Sequence, residues 1–199
     1  MTMNIIVAGV GGQGSIMTSH ILAETAIAAG IRDVRVGETY GAAMRGGSVV
    51  SHVRIGEAYA PLMSEDAAEL MIVLEPLEGL RYGVKYLASG GKVILSDSPL
   101  YTLDTNMGNA RYPDLKEVVG SLQDLGGEVT VIPARAMSGK IGTIRVLSTI
   151  MLGAASGSGY LKLDKDLLVE TVRNRVPPKT VEMNMRAFQA GYDFMKKKA

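Results

Sequence analysis

Asn4-Ile5-Ile6-Val7-Ala8-Gly9-Val10-Gly11-Gly12-Gln13-Gly14-Ser15 is the stretch on which the fold turns. Asn4–Gly9 is a short apolar run ending in glycine, the pattern of a buried parallel strand. Ser15–Ala29 is rich in alanine, carries isoleucine and leucine, and stops before Gly30. It predicts a buried helix with a glycine stop. Between them, Gly9, Gly11 and Gly14 satisfy G-x-G-x-x-G, with Gly12 and Gln13 inside the turn. Glycines in that place permit a tight turn and close backbone approach, and the helix behind them points free N–H groups and a positive dipole end at an anion. A ligand-free strand-to-helix turn has the same residues, so the motif alone leaves both readings open. Val34–Val36 follows as a second short strand and completes a βαβ pattern. Glu38 lies near its end, roughly 20 residues on, where a dinucleotide fold keeps its ribose-binding acid. A stand-alone nicotinamide-binding module is therefore one reading.

Outward from this unit the alternation continues. Ser48–Ile55 is β-branched with polar residues interleaved and predicts a half-exposed strand, with His52 on its polar face. Gly56-Glu57 would turn it back into Ala58–Leu62 as a hairpin. Leu70–Leu74 and Val93–Leu95 predict strands separated by a helix over Leu77–Ala88. Ser98–Pro113 reads as a long irregular loop. Leu115–Leu125 predicts a helix stopped by Gly126-Gly127, and Val129–Ile132 a last strand. Helices are expected over Ile144–Ala155, Asp164–Arg173 and Thr180–Lys196. In the last of these, Val181, Met185, Phe188, Tyr192 and Met195 form one apolar stripe, read as core packing. Gly153–Gly159 is the only linker candidate. The fold class expected is α/β: a three-layer α/β/α sandwich on a mostly parallel, mixed sheet, Rossmann-like, as a single domain over residues 1–199.

The second glycine cluster, Gly37-Glu38-Thr39-Tyr40-Gly41-Ala42-Ala43-Met44-Arg45-Gly46-Gly47-Ser48, carries an arginine beside two glycines. Its guanidinium fork suits a carboxylate or a phosphate. Glu38, Thr39 and Tyr40 add an acid and two hydroxyls at a strand end, where open α/β sheets bind ligands. A structural loop with Arg45 paired to Glu38 or Glu57 explains the same residues equally well.

Composition narrows the chemistry. The 199 residues include no cysteine, so the chain has no thiol nucleophile and no Cys-ligated cluster or zinc of its own. The only histidines are His20 and His52, which makes a His-built metal site a poor expectation; His20 reads as a packed helix residue. A net charge of +1 offers no electrostatic reason for nucleic acid or an anionic membrane as partner. No apolar stretch reaches the roughly 18 residues of a membrane span, and no leader pattern precedes the first strand. A cytoplasmic protein is expected. Lys196-Lys197-Lys198 reads as a solubilising tail, and the 12 methionines as irregular core filling. Ser96-Asp97-Ser98 and Glu75-Pro76 follow strands at the ligand edge and read first as capping residues.

The pair G-x-G-G-Q-G and E-T-Y-G-x-x-x-R-G-G-S resembles the gamma-subunit family of 2-oxoacid:ferredoxin oxidoreductases, whose substrates are pyruvate, ketoisovalerate and indolepyruvate. Within it the chain is most similar to the indolepyruvate oxidoreductase beta type. Pro133-Ala134-x-Ala136, Gly142, Met151-Leu152-Gly153-Ala154 and Glu182-x-Asn184-x-x-Ala187-Phe188-x-x-Gly191 extend the likeness over nearly the whole chain. Ser148 stands where the family pattern has asparagine.

The resemblance implies a subunit of an enzyme that oxidatively decarboxylates a 2-oxoacid to an acyl-CoA and reduces ferredoxin. Thiamine diphosphate, Mg2+ and 4Fe–4S clusters would belong to larger partner subunits, with coenzyme A as co-substrate. This chain would carry no catalytic or metal-binding residue and be inactive alone, with homodimerisation open to it when isolated. Glu38, Thr39, Tyr40, Gly41, Arg45, Gly46 and Gly47 would form a loop at the substrate, CoA or subunit interface. Gly9, Gly11, Gly12, Gln13 and Gly14 would serve tight packing or a phosphate-bearing ligand.

Overall fold

A computed structural model describes residues 2–40, 46–101 and 103–198. Six strands form one mixed sheet: β1 Met3–Val10, β2 Val34–Tyr40, β3 Ser48–Ile55, β4 Ala68–Val73, β5 Leu87–Ser96 and β6 Glu128–Ile132. Their order is β2-β3-β1-β4-β5-β6. β1, β4, β5 and β6 run parallel, while β3 is antiparallel to both β1 and β2. The helices are α1 Ser15–Ala28, α2 Pro76–Tyr86, α3 Leu103–Asn106, α4 Leu115–Asp124, α5 Ala134–Ile141, α6 Leu147–Gly157, α7 Lys165–Arg175 and α8 Val181–Lys196.

Alternation along β1 sorts its side chains to two cores. Ile5 and Val7 pack with Leu22 of α1, Ile150 of α6, Leu168 of α7 and Phe188 of α8. Ile6 and Ala8 pack on the other face with Val118 and Leu122 of α4 and Leu80 of α2. Two layers of helix thus cover one sheet, as an α/β/α sandwich requires. The stripe Val181, Met185, Phe188, Tyr192 and Met195 lies against the first of these cores.

Several expectations are corrected. β2 does not lie beside β1, because β3 inserts between them over eight paired positions, Met3–Ile55 to Val10–Ser48. β3 is not half-exposed: Ser51 and His52 are fully buried. A serine is small enough for the interior, and the His52 ring stands edge-on to Tyr86 of α2, with centroids 4.8 Å apart. Ala58–Leu62 forms no hairpin strand. Its carbonyls at Ala60 and Leu62 instead accept the Arg54 guanidinium at 2.9 and 3.4 Å. The helix expected to Ala88 ends at Tyr86, and Leu87 passes directly into β5. The Ser98–Pro113 loop contains α3, and α5 follows β6 where no helix was expected.

The linker candidate is also overturned, since Gly153 and Gly157 are interior residues of α6. A Cβ at Gly153 would collide with the Phe188 carbonyl, one at Gly157 would lie 2.5 Å from the Tyr192 carbonyl oxygen, and one at Gly191 would collide with the Ile150 carbonyl. α6 and α8 therefore meet backbone to backbone, which only glycine allows. The same interface buries a polar clamp: Thr149 Oγ1 donates to Asn184 Oδ1 at 2.8 Å, and Asn184 Nδ2 donates to the Thr180 carbonyl at 2.9 Å. Thr149→Val keeps the shape and strands a buried acceptor. It is expected to cost about 1–3 kcal/mol, read as a lower urea midpoint at unchanged slope, with Thr149→Ser close to the parent.

Candidate functional site

The glycine turn closes on itself. Gln13 N–H donates to the Val10 carbonyl at 3.0 Å, and the Gln13 side-chain oxygen accepts the Val10 N–H at 2.8 Å. Gln13 is thereby a strut of the turn. Gly14 is the N-cap of α1 at φ 94°, a backbone conformation that strains other residues. A side chain there would also strike Ser148, whose Oγ would lie 2.8 Å from the added Cβ. With no side chain at the cap, the leading N–H groups of α1 are not closed off by it.

The two glycine clusters are tied together. Gly11 N–H donates to the Gly47 carbonyl at 2.8 Å, and Gly46 N–H donates to the Gly11 carbonyl at 3.2 Å. Ser48, next in the chain, donates to the Glu78 carboxylate and lies 2.7 Å from the Tyr82 hydroxyl. Burial raises the Glu78 pKa above the ordinary carboxylate range. Gly41 and Arg45 lie outside the described residues. Glu38 places its carboxylate 3.0 Å from His20 Nε2. Thr39 is exposed, and the Tyr40 backbone pairs with Val49. Among the described residues, Glu38, Thr39 and Tyr40 do not reach the glycine turn's cavity. With β3 interposed, Glu38 does not take the place beside the turn that a ribose-binding acid needs.

The turn opens into a cavity of about 840 Å3. One wall is Gly11–Gly14, a second is Ser98–Tyr101 after β5, and a third is the start of α5 and α6 with Arg135, Arg145 and Ser148. β1 is followed by a helix on one face and β4 by a helix on the other, so the cavity lies where the winding reverses, at the carboxyl ends of the strands. Open α/β sheets bind ligands in that place. Arg135 and Arg145 are both exposed, and among the described residues neither is paired with a carboxylate. Ser148 is 1% exposed, yet its Oγ has no hydrogen-bond partner. Uncapped helix N–H groups, two free guanidinium groups and an unsatisfied hydroxyl around one space make an anion receptor.

A buried carboxylate holds the second wall in place. Glu75, 1% exposed, accepts the Glu78 N–H at 2.9 Å, the Leu100 N–H at 3.2 Å and the Tyr112 hydroxyl. It caps α2, as expected of it, and also fixes Ser98–Tyr101. Asp97 likewise caps: its Oδ1 accepts the Arg135 N–H at 3.0 Å. The sequence reading missed Arg135 and Arg145. Their signal was position: Arg135 opens the helix after a parallel strand, within the Pro133-Ala134-x-Ala136 stretch. Among the described residues no three His, Asp or Glu side chains cluster as a metal site, and no helix is long and apolar enough to cross a membrane.

Residues 4–194 match the model of the pyruvate ferredoxin/flavodoxin oxidoreductase family. The chain belongs to that family. The oxidoreductase family's curated members include the indolepyruvate oxidoreductase subunit IorB of Archaeoglobus fulgidus, 38% identical over 97% of this chain and 95% of that protein. The IorB of Thermococcus kodakarensis is 37% identical over 94% of this chain and 93% of its own. Among solved structures, a keto/oxoacid ferredoxin oxidoreductase gamma subunit from Geobacter sulfurreducens shares the fold with a TM-score of 0.70, 23% identity and 99% coverage of both chains. The 2-oxoglutarate:ferredoxin oxidoreductase of Magnetococcus marinus, solved with 2-oxoglutarate, coenzyme A and succinyl-CoA bound, matches all of this chain with 31% of its own, at 17% identity and a TM-score of 0.69.

Proposed function

We propose that this chain is the small subunit of an indolepyruvate:ferredoxin oxidoreductase and that its cavity holds the phosphates of coenzyme A. The observation that carries the second half is the anion receptor at the switch point: the glycine turn, Arg135, Arg145 and the unsatisfied Ser148 hydroxyl around one space. The first half rests on the likeness to IorB proteins over nearly the full length of both chains. Without cysteine, this chain supplies no thiolate for an iron–sulfur cluster, which assigns the clusters to a partner. Thiamine diphosphate with Mg2+, in the larger subunit, supplies carbanion chemistry, and ferredoxin takes the electrons.

The residues of this chain then have a positioning task. The N–H groups of α1 and the Ser148 hydroxyl donate to phosphate oxygens, and the two guanidinium groups neutralise their charge. Anchoring the phosphates lets the thiol arm extend toward the partner without costing the entropy of a free encounter. Arg45, on the loop tied to the turn through Gly46 and Gly47, belongs to the same proposal as a further anion contact.

Calorimetric titration of the purified chain with CoA tests the site. Arg145→Ala is expected to weaken binding about tenfold or more, the scale of a charge-assisted hydrogen bond, and rising salt to weaken the parent. A wild-type chain that takes no CoA, or an Arg145→Ala chain that binds equally well, overturns the site. Purification from native cells tests the assembly. A larger, cysteine-bearing thiamine subunit should accompany the chain, and recovery of the chain alone overturns the subunit reading.

A further inference from the structure

A second, smaller recess of about 180 Å3 opens beside the anion cavity. The two share Pro99 and Tyr101, so a ligand can run from one into the other. Their chemistry differs. The large cavity presents arginines and helix N–H groups. The small one is walled by the Tyr101 and Tyr112 rings and by Pro76 and Pro113, with Asp97 and Asp114 at its lining.

The recess is built rigidly. Tyr112 is held by its hydroxyl, which donates to the buried Glu75, and the same carboxylate oxygen accepts the Leu100 N–H. Tyr101, next to Leu100, meets Tyr112 edge-to-face with centroids 5.0 Å apart and interplanar angle 79°. It remains 50% exposed. An exposed aromatic ring on a fixed support is a platform for a flat partner. Three prolines around it add apolar surface without donors of their own.

Charge sorts what can enter. Two carboxylates repel phosphate from the recess and accept hydrogen bonds from an amino group. The neighbouring guanidinium groups do the reverse. A ligand with phosphates at one end and a neutral, flat, amino-bearing ring at the other matches both halves.

We infer that the Tyr101–Tyr112 recess binds the adenine base of the nucleotide whose phosphates occupy the adjoining cavity, with Tyr101 as stacking platform and a carboxylate accepting from the exocyclic amino group. The inference rests on the phosphate reading above and adds base recognition to it. The recess would make the site selective for adenine nucleotides over bare phosphopantetheine.

Four ligands titrated into the full chain by calorimetry test it: CoA, ADP, 4′-phosphopantetheine, and CoA carrying hypoxanthine in place of adenine. Tyr101→Ala is expected to weaken CoA and ADP about tenfold, in line with base–aromatic stacking, and to leave phosphopantetheine unchanged. Tyr101→Phe should bind CoA like the parent. The hypoxanthine analogue, which turns a carbonyl toward the carboxylates, should bind the parent about tenfold more weakly than CoA. Equal CoA affinity in parent and Tyr101→Ala overturns the inference and leaves the phosphate reading intact. Equal losses for CoA and phosphopantetheine also overturn it, since Tyr101 would then touch the pantetheine arm. A parent chain that takes none of the four overturns both readings. Tyr101 is half exposed, so thermal melts of the variants should match the parent.

Discussion

Gly191→Ala is expected to destabilise the protein by more than about 3 kcal/mol, at or beyond the top of the range for overpacking a core. The added methyl would fall inside the Ile150 carbonyl of α6. A flexible side chain could rotate away, but the obstacle is backbone in the middle of a helix. Relief requires α6 and α8 to separate, and that opens the core around Ile150 and Phe188, both essentially fully buried. Gly153→Ala meets the Phe188 carbonyl and should behave alike. The sign is informative because alanine is otherwise the better helix former by about 1 kcal/mol. Gly120 supplies the control. It is interior to α4, and a Cβ there would meet nothing within 4 Å. Gly120→Ala should raise the urea midpoint while Gly191→Ala lowers it or prevents folding. A Gly191→Ala chain as stable as the parent would refute backbone contact between α6 and α8.

This contact also shows where sequence reading loses the fold. Glycines in the Gly153–Gly159 run suggest a linker because glycine is a poor helix former, yet tertiary packing requires them inside α6. The requirement comes from Phe188 and Tyr192, far along the chain, and no local pattern reveals it. The same holds for β3. Its residues announce a strand, but which neighbours it takes is a non-local choice, and insertion between β1 and β2 changes a simple βαβ unit into a mixed sheet. Polar residues at Ser51 and His52 then signal small size and ring packing, not solvent. The parts that were legible are local ones: the apolar run of β1, the glycine turn, Pro76 as a helix start and the apolar stripe of α8.

The site divides in the same way. The turn at Gly9–Gly14 is legible because its glycines are contiguous and sit between a strand and a helix. Its hydrogen-bonded partnership with Gly46 and Gly47 gives the paired motifs a physical basis, since each steadies the other. Arg135 and Arg145 are lone surface arginines in sequence. They become a site only because β5 and β6 run parallel to β1 and deliver the following segments to the same edge. Glu38 misleads for the converse reason: its spacing suits a ribose contact, but β3 moves it away and His20 engages it.

Lowering the pH from 7 to 4 is expected to remove up to about 3 kcal/mol of stability through His52 alone, from a linkage slope near 1.4 kcal/mol per pH unit. The ring is fully buried in β3. Nδ1 accepts the Met63 N–H at 3.4 Å, and Nε2 has no partner. Burial first, then the positive charges of Lys85 and Arg54, press its pKa down to about 4. An unfolded chain protonates this imidazole below pH 6.5, its ordinary value. Between about 6.5 and 4 the unfolded state therefore binds one proton more, and stability falls as pH falls. Glu24, held low by its Arg175 ion pair, loses stability in the same direction, whereas Glu78, raised by burial, gains on acidification. These contributions are common to parent and variant, so a difference isolates the histidine. His52→Leu removes the titration while filling the space. Urea midpoints measured from pH 7 to 4.5 should drop more steeply in the parent than in His52→Leu, with the two curves converging toward low pH. Parallel curves would mean that the imidazole accepts its proton without leaving the core, and the burial argument for His52 would be wrong.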